Sequence, residues 1–173
     1  MNNKKLPKRK QLRLKNFDYS QNNAFFITIC IHNRNRLLGE VKETSVGATL
    51  CGRPNYPHKM IEKWLFEIQN KYLNTKIDYY VIMPDHIHFI LFIEGDHTGS
   101  PLQDIIGWFK TMTTNDYIKG VKNKLYEPFN KHFWQRNYFE HVIRNENDLF
   151  ECRKYIEQNL LKWIIDKKQC PRG

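Results

Sequence analysis

From Tyr79 to Ile93 the chain reads Tyr-Tyr-Val-Ile-Met-Pro-Asp-His-Ile-His-Phe-Ile-Leu-Phe-Ile, its most apolar and aromatic run, with two histidines at the centre. β-Branched and aromatic residues flank Pro84-Asp85, and proline cannot donate to a ladder, so the run predicts two buried strands joined by a tight turn. Side chains alternate along a strand, which puts His86 and His88 on one face and Ile87 on the other. A lone strand histidine is ordinarily a structural residue. Two in register are costly to bury unless each finds a partner, so a metal or phosphate role stands beside the structural one.

The rest of the chain supplies elements to cover such a hairpin. Ala24 to Ile31 is apolar on both faces and predicts a central strand of a covered sheet, followed by the polar exit His32-Asn33-Arg34-Asn35-Arg36, whose arginines suit phosphates or a strand-to-loop turn equally. Residues 39 to 57 read as a long loop or a short irregular hairpin. From His58, the residues Met60, Ile61, Trp64, Leu65, Ile68 and Tyr72 recur at helical spacing. A polar loop leads to Pro101, well placed to start a second helix with the stripe Leu102, Ile105, Ile106, Phe109, Met112 and Thr113; Trp108, Lys110, Thr111 and Thr114 fall on other faces of it. Residues 120 to 132 read as a loop and Phe133 to Arg144 as a strand. Asn145 is a good N-cap for a last helix, with Glu146 and Asp148 in the first turn and Leu149, Cys152, Ile156, Leu160 and Trp163 as its stripe. Beside that stripe Tyr155 and Asn159 lie one helical turn apart.

The order strand, helix, strand, strand, helix, strand, helix predicts an α+β sandwich, ferredoxin-like or RNA-recognition-like, with a mainly antiparallel sheet and helices on one face. At 173 residues the expectation is a single domain. The formal charge is +10 and the pI about 9.4, a balance that favours a polyanionic partner, nucleic acid first. Much of the charge sits in residues 1–16, where Lys4, Lys5, Lys8, Arg9, Lys10, Arg13 and Lys15 precede the first acid; this predicts an extended basic arm with salt-sensitive phosphate binding, although a merely solubilising tail would read the same way. No apolar run approaches the roughly 20 residues that span a bilayer, and the N-terminus lacks the hydrophobic core of a signal peptide. A cytoplasmic, nucleoid-associated protein is expected. Cys30, Cys51, Cys152 and Cys170 form no Cys-x-x-Cys pair, which fits a reducing compartment.

Met83-Pro84-Asp85-His86-Ile87-His88, then Trp134-Gln135, Glu140-His141-Val142-Ile143-Arg144-Asn145, Tyr155-Ile156 and Asn159 together resemble the HUH single-tyrosine transposases, and most closely their REP-associated tyrosine transposase branch. The resemblance runs from about Phe25 to Trp163. It implies that His86, His88 and Asn159 hold a divalent metal, Mg²⁺ or Mn²⁺, and that Tyr155 attacks DNA to leave a 5′-phosphotyrosine. It implies single-stranded DNA with hairpins as the partner, no organic cofactor, and a monomer in preference to a dimer. Lys4 to Arg13, Arg34, Arg36, Trp108 and Lys110 are the expected DNA contacts. Tyr138, Tyr79 and Tyr80 compete with Tyr155 for the nucleophile's role. Two departures stand out: Asn159 is followed by Leu160 where the family often has proline, so the helix can continue, and Asp85 replaces the usual Asn or Glu, either as a turn residue or to orient an imidazole. Two other readings remain at this stage: a non-catalytic, hairpin-specific nucleic-acid-binding regulator on the same scaffold, and a metal-dependent nucleotide hydrolase using water.

Overall fold

An apolar run without polar alternation belongs inside a sheet covered on both faces, and the computed structural model puts it there. The structure describes residues 23–44, 47–51, 57–94 and 101–169, with side chains over 23–39, 57–94 and 102–159. Strand β1 (Asn23–Cys30) is an inner strand of a four-stranded sheet that also contains β4 (Thr75–Met83), β5 (His86–Ile93) and β6 (Phe139–Ile143). The order is β4-β5-β1-β6, and every neighbouring pair is antiparallel. With α1 (His58–Lys71) after β1 and α2 (Pro101–Lys122) after β5, this is the β-α-β-β-α-β arrangement of a ferredoxin-like α+β fold. The two open readings of residues 39 to 57 resolve toward a hairpin: β2 (Glu40–Thr44) and β3 (Gly47–Cys51) pair antiparallel in a small sheet of their own.

Pro84-Asp85 is the whole connection between β4 and β5. Its two carbonyls accept from the Ile31 and Leu38 amides at 2.8 and 3.0 Å, so the turn is tied to the exit of β1. Register is then strict: Cys30 faces His86, Thr28 faces His88 and Phe26 faces Ile90.

Alternation sorts the sheet into two apolar faces. Phe25, Ile27, Ile29, Ile87, Phe89 and Leu91 pack with Ile61, Leu65 and Ile68 of α1 and Ile105, Ile106 and Phe109 of α2. Phe26, Val81, Met83 and Ile90 point the other way and are covered by Ile156 of α3 (Glu146–Gln169), with Leu149 and Cys152 at the margin. The expectation of helices on one face thus holds for α1 and α2, while α3 crosses to the opposite face. The physical reason is that a second apolar face cannot be left to water. Asn145 caps α3 as expected, accepting the Asp148 amide at 2.9 Å, and α3 continues past Leu160 to Gln169.

The strand expected over Phe133 to Arg144 is shorter: only Phe139–Ile143 pairs as β6, and Trp134 forms one isolated bridge to Ile31. Between them the Lys110 ammonium takes up the carbonyls of Gln135, Arg136 and Asn137 at 3.1 to 3.3 Å, acceptors that a ladder would otherwise use. The loop expected from residue 120 begins after Lys122, because Gly120 admits Tyr126 against the last turn of α2. Among the described residues no helix is long and apolar enough to cross a membrane.

Candidate active site

His86 and His88 project from β5 toward α3, and their Nε2 atoms converge to 3.0 Å. Each ring is oriented from behind. Asp85 Oδ1 lies 2.5 Å from His86 Nδ1, and a carboxylate only accepts, so Nδ1 carries a hydrogen and Nε2 is the ring atom on the converging side. Thr28 Oγ1 lies 2.8 Å from His88 Nδ1; a hydroxyl donates or accepts, so His88 can present either an N–H or a lone pair at Nε2. Both rings are buried. Burial, with the charges of His86 and Arg34 adding to it, pulls His88 down to about 3, so it stays neutral throughout the physiological range. Burial pushes the Asp85 carboxyl up, but its hydrogen bond with His86, the His86 charge and Arg34 outweigh this and hold it below the usual carboxylate range.

Two imidazole Nε2 atoms aimed at one point, with their far nitrogens hydrogen-bonded, offer a pair of ligands to a divalent metal. The residues fit such an ion. The opposite edge of the site is α3. The Tyr155 ring stands edge-on to His88 with centroids 5.3 Å apart and edge-on to Phe26 at 5.7 Å, and the residue is 42% exposed. Asn159, one turn further on, is buried. The helix therefore presents the Tyr155 phenol at the rim, on the side of the sheet that carries the histidines, and buries Asn159 one turn on.

The competing tyrosines lie elsewhere. Tyr80 points to the α1 layer, donates to Glu62 and is pushed up to about 12 by burial and by that carboxylate. Tyr138 packs on the α1 and α2 side with the Lys110 ammonium over its ring. Tyr79 lies under the Arg153 guanidinium, which also makes a bidentate pair with Asp78 at 2.7 and 3.0 Å and so fastens α3 to β4.

Of the expected DNA contacts, Lys4, Lys5, Lys8, Arg9, Lys10 and Arg13 lie outside the described residues. Arg34 stands beside the histidines, 3.7 Å from Asp85, and Arg36 is exposed on the same segment. Trp108 and Lys110 are not part of this surface. Trp108 packs edge-on against Trp64 and Tyr72 in the helical layer behind the sheet. Lys110 spends its ammonium on the three loop carbonyls, and burial lowers it to about 8. The hydroxyls of Thr111 and Thr114 donate back to the Gly107 and Lys110 carbonyls of their own helix.

Thr28 is the residue that sequence reasoning missed. Its signal was present in the alternation: it is the polar position of Ala24 to Ile31 whose side chain shares a face with the histidines, but only the cross-strand register pairs it with His88.

Residues 20–159 match the family described as Transposase IS200 like, and the chain belongs to that family of transposases. Within it, the chain is related to the REP-associated tyrosine transposases. A Haemophilus influenzae protein that carries that name is 31% identical over 84 residues, 47% of each chain. A second Haemophilus influenzae protein, of uncharacterised function, is 30% identical with 92% of each chain covered. The fold matches that of a REP-associated tyrosine transposase bound to a REP hairpin, with TM-score 0.59, 20% identity, and 87% of this chain and 74% of that one covered. It also matches a Deinococcus radiodurans structure assigned as a transposase, with TM-score 0.52, 15% identity, and 84% and 97% covered.

Proposed function

We propose that this chain is a metal-dependent nicking and joining enzyme that opens single-stranded DNA beside REP-like hairpins through a covalent 5′-phosphotyrosine and rejoins strands by the reverse reaction. The observation that carries the reading is the half-exposed Tyr155 ring set against His88, whose Nε2 meets that of His86 at 3.0 Å. A divalent cation, Mg²⁺ or Mn²⁺, held by His86, His88 and Asn159 would neutralise the phosphate oxygens that otherwise repel a nucleophile.

The residues of the chain do the rest. Tyr155 supplies the phenol oxygen; its proton passes to solvent as the oxygen bonds to phosphorus, and the bond from phosphorus to the 3′ oxygen breaks. The departing oxygen takes a proton and becomes a free 3′-hydroxyl. One phosphodiester replaces another, so no external energy source is needed, and attack by a second 3′-hydroxyl restores the phenol. Asp85 and Thr28 hold the imidazoles at fixed tilt, and Asp85 also fixes which nitrogen of His86 carries the hydrogen, which removes reorganisation from the reaction. Phe139, on the edge strand opposite Thr28 and 59% exposed, offers a stacking surface for a base next to the cut. The basic arm of residues 1–16, with Arg34 and Arg36, grips the backbone. Histidines and tyrosine lie together within one chain, which supports a monomer as the catalytic unit.

The test uses a hairpin with single-stranded flanks and Mn²⁺. A protein-DNA adduct that survives denaturant, and is lost in Tyr155→Phe while hairpin binding persists, is the expected result. A gel shift with no adduct would favour the regulator, and cut DNA with no adduct would favour a hydrolase.

A further inference from the structure

We propose a second metal site, distinct from the paired histidines: His141 on β6, with Asp148 and Cys152 on α3, forms a site for a cation of the zinc class. One ligand atom from each, an imidazole nitrogen, a carboxylate oxygen and a thiol sulfur, lie within 4.8 Å of one another. His141 Nε2 is 2.8 and 2.9 Å from the two Asp148 oxygens, and Cys152 Sγ is 3.9 Å from Asp148 Oδ1. Zinc holds nitrogen and oxygen at about 2.0–2.2 Å and sulfur at about 2.3 Å in a tetrahedron. Ligand atoms around it therefore stand roughly 3–4 Å apart, so these three close on an ion by small side-chain rotations.

The local chain explains why the set is preassembled. Asp148 and Cys152 are four residues apart on one helix face. The Arg144 amide donates to Asp148 Oδ2 at 3.1 Å, while Asn145 caps the Asp148 amide, so the carboxylate is aimed before any ion arrives. β6 brings the imidazole from the sheet.

The donor set decides the metal. Imidazole, carboxylate and thiolate together favour Zn²⁺, Co²⁺ and similar borderline ions, whereas Mg²⁺ prefers oxygen alone. Binding would release the thiol proton, and any proton on Nε2, to solvent and leave a fourth position for water. Its effect is mechanical. The ion would rivet β6 to the first two turns of α3, three residues before Tyr155, with Phe26 lying between it and His88: Phe26 faces His141 in register and stacks on His88 at 5.3 Å.

Metal-stripped full-length protein titrated with Co²⁺ tests it. The expected result is a near-ultraviolet thiolate-to-cobalt band that saturates at one ion per chain, is displaced by Zn²⁺ and is unaffected by Mg²⁺. The band should vanish in Cys152→Ser, in the apolar Cys152→Ala and in His141→Ala, and persist in His88→Ala and in Cys30→Ser, which removes the thiol facing His86 in register. Zn²⁺ should raise the melting temperature of the native protein and leave that of His141→Ala unchanged. No thiolate band in the native protein, a band that survives Cys152→Ala, or one that disappears in Cys30→Ser would overturn the assignment.

Discussion

Thr28→Val isolates the part of the site that owes nothing to the histidines themselves. Valine has nearly the shape of threonine, so the β1 packing survives while the hydroxyl 2.8 Å from His88 Nδ1 is removed. His88 is 5% exposed, and its Nδ1 would be left without that partner in the interior. An unpaired buried polar atom costs about 1–3 kcal/mol; Thr28 is itself only half-buried, so the lower part of that range is expected. Metal affinity carries a second penalty. Loss of a partner behind a ligating imidazole lowers affinity about 10–100-fold, equivalent to roughly 1.4–2.8 kcal/mol. Urea unfolding and calorimetric titration with Mn²⁺ measure the two separately. Thr28→Ser keeps the hydroxyl and should restore most of both. Unchanged Mn²⁺ affinity in Thr28→Val, or a serine variant as impaired as the valine one, would refute the role given to this hydrogen bond.

Acid should destabilise the protein through His88. Its folded pKa lies near 3 against an ordinary 6.5, so between those values the unfolded chain binds the extra proton; stability rises with pH across this window and is lost progressively as pH falls from 6.5. Unfolding midpoints measured from pH 7 to pH 5 should fall, and His88→Gln should flatten the curve. Two glycines of α2 should respond oppositely to alanine: at Gly107 a Cβ meets nothing within 4 Å and helix propensity should add up to about 1 kcal/mol. At Gly120 it would meet the Tyr126 ring at 2.1 Å, and overpacking should cost about 1–3 kcal/mol; thermal melts read both. Deleting residues 1–15 should weaken hairpin binding and flatten its dependence on salt, whereas equal affinity and slope would show that the arm does not touch the backbone. Phe139→Ala should weaken binding of the single-stranded flank by about 1–3 kcal/mol without changing affinity for the isolated duplex stem.

Local patterns were enough for much of this protein. Period-two alternation puts His86 and His88 on one face before any fold is known, Pro84-Asp85 marks the turn, and four-residue spacing stacks Asn159 beneath Tyr155, because each relation lies within one strand, one turn or one helix. What required the tertiary structure was every relation between elements. Nothing local says that Thr28 would face His88, since register is decided by the neighbouring strand. Lys110 and Trp108 look like nucleic-acid contacts on a helical wheel, yet the fold spends one on the 135–137 carbonyls and turns the other into the layer behind the sheet. His141, Asp148 and Cys152 share no sequence motif; they meet because α3 leaves the edge strand and crosses to the second apolar face. That crossing also carries Tyr155 to the paired imidazoles, and its cause is the burial of Phe26, Val81, Met83 and Ile90, a demand of the whole sheet that no single segment expresses.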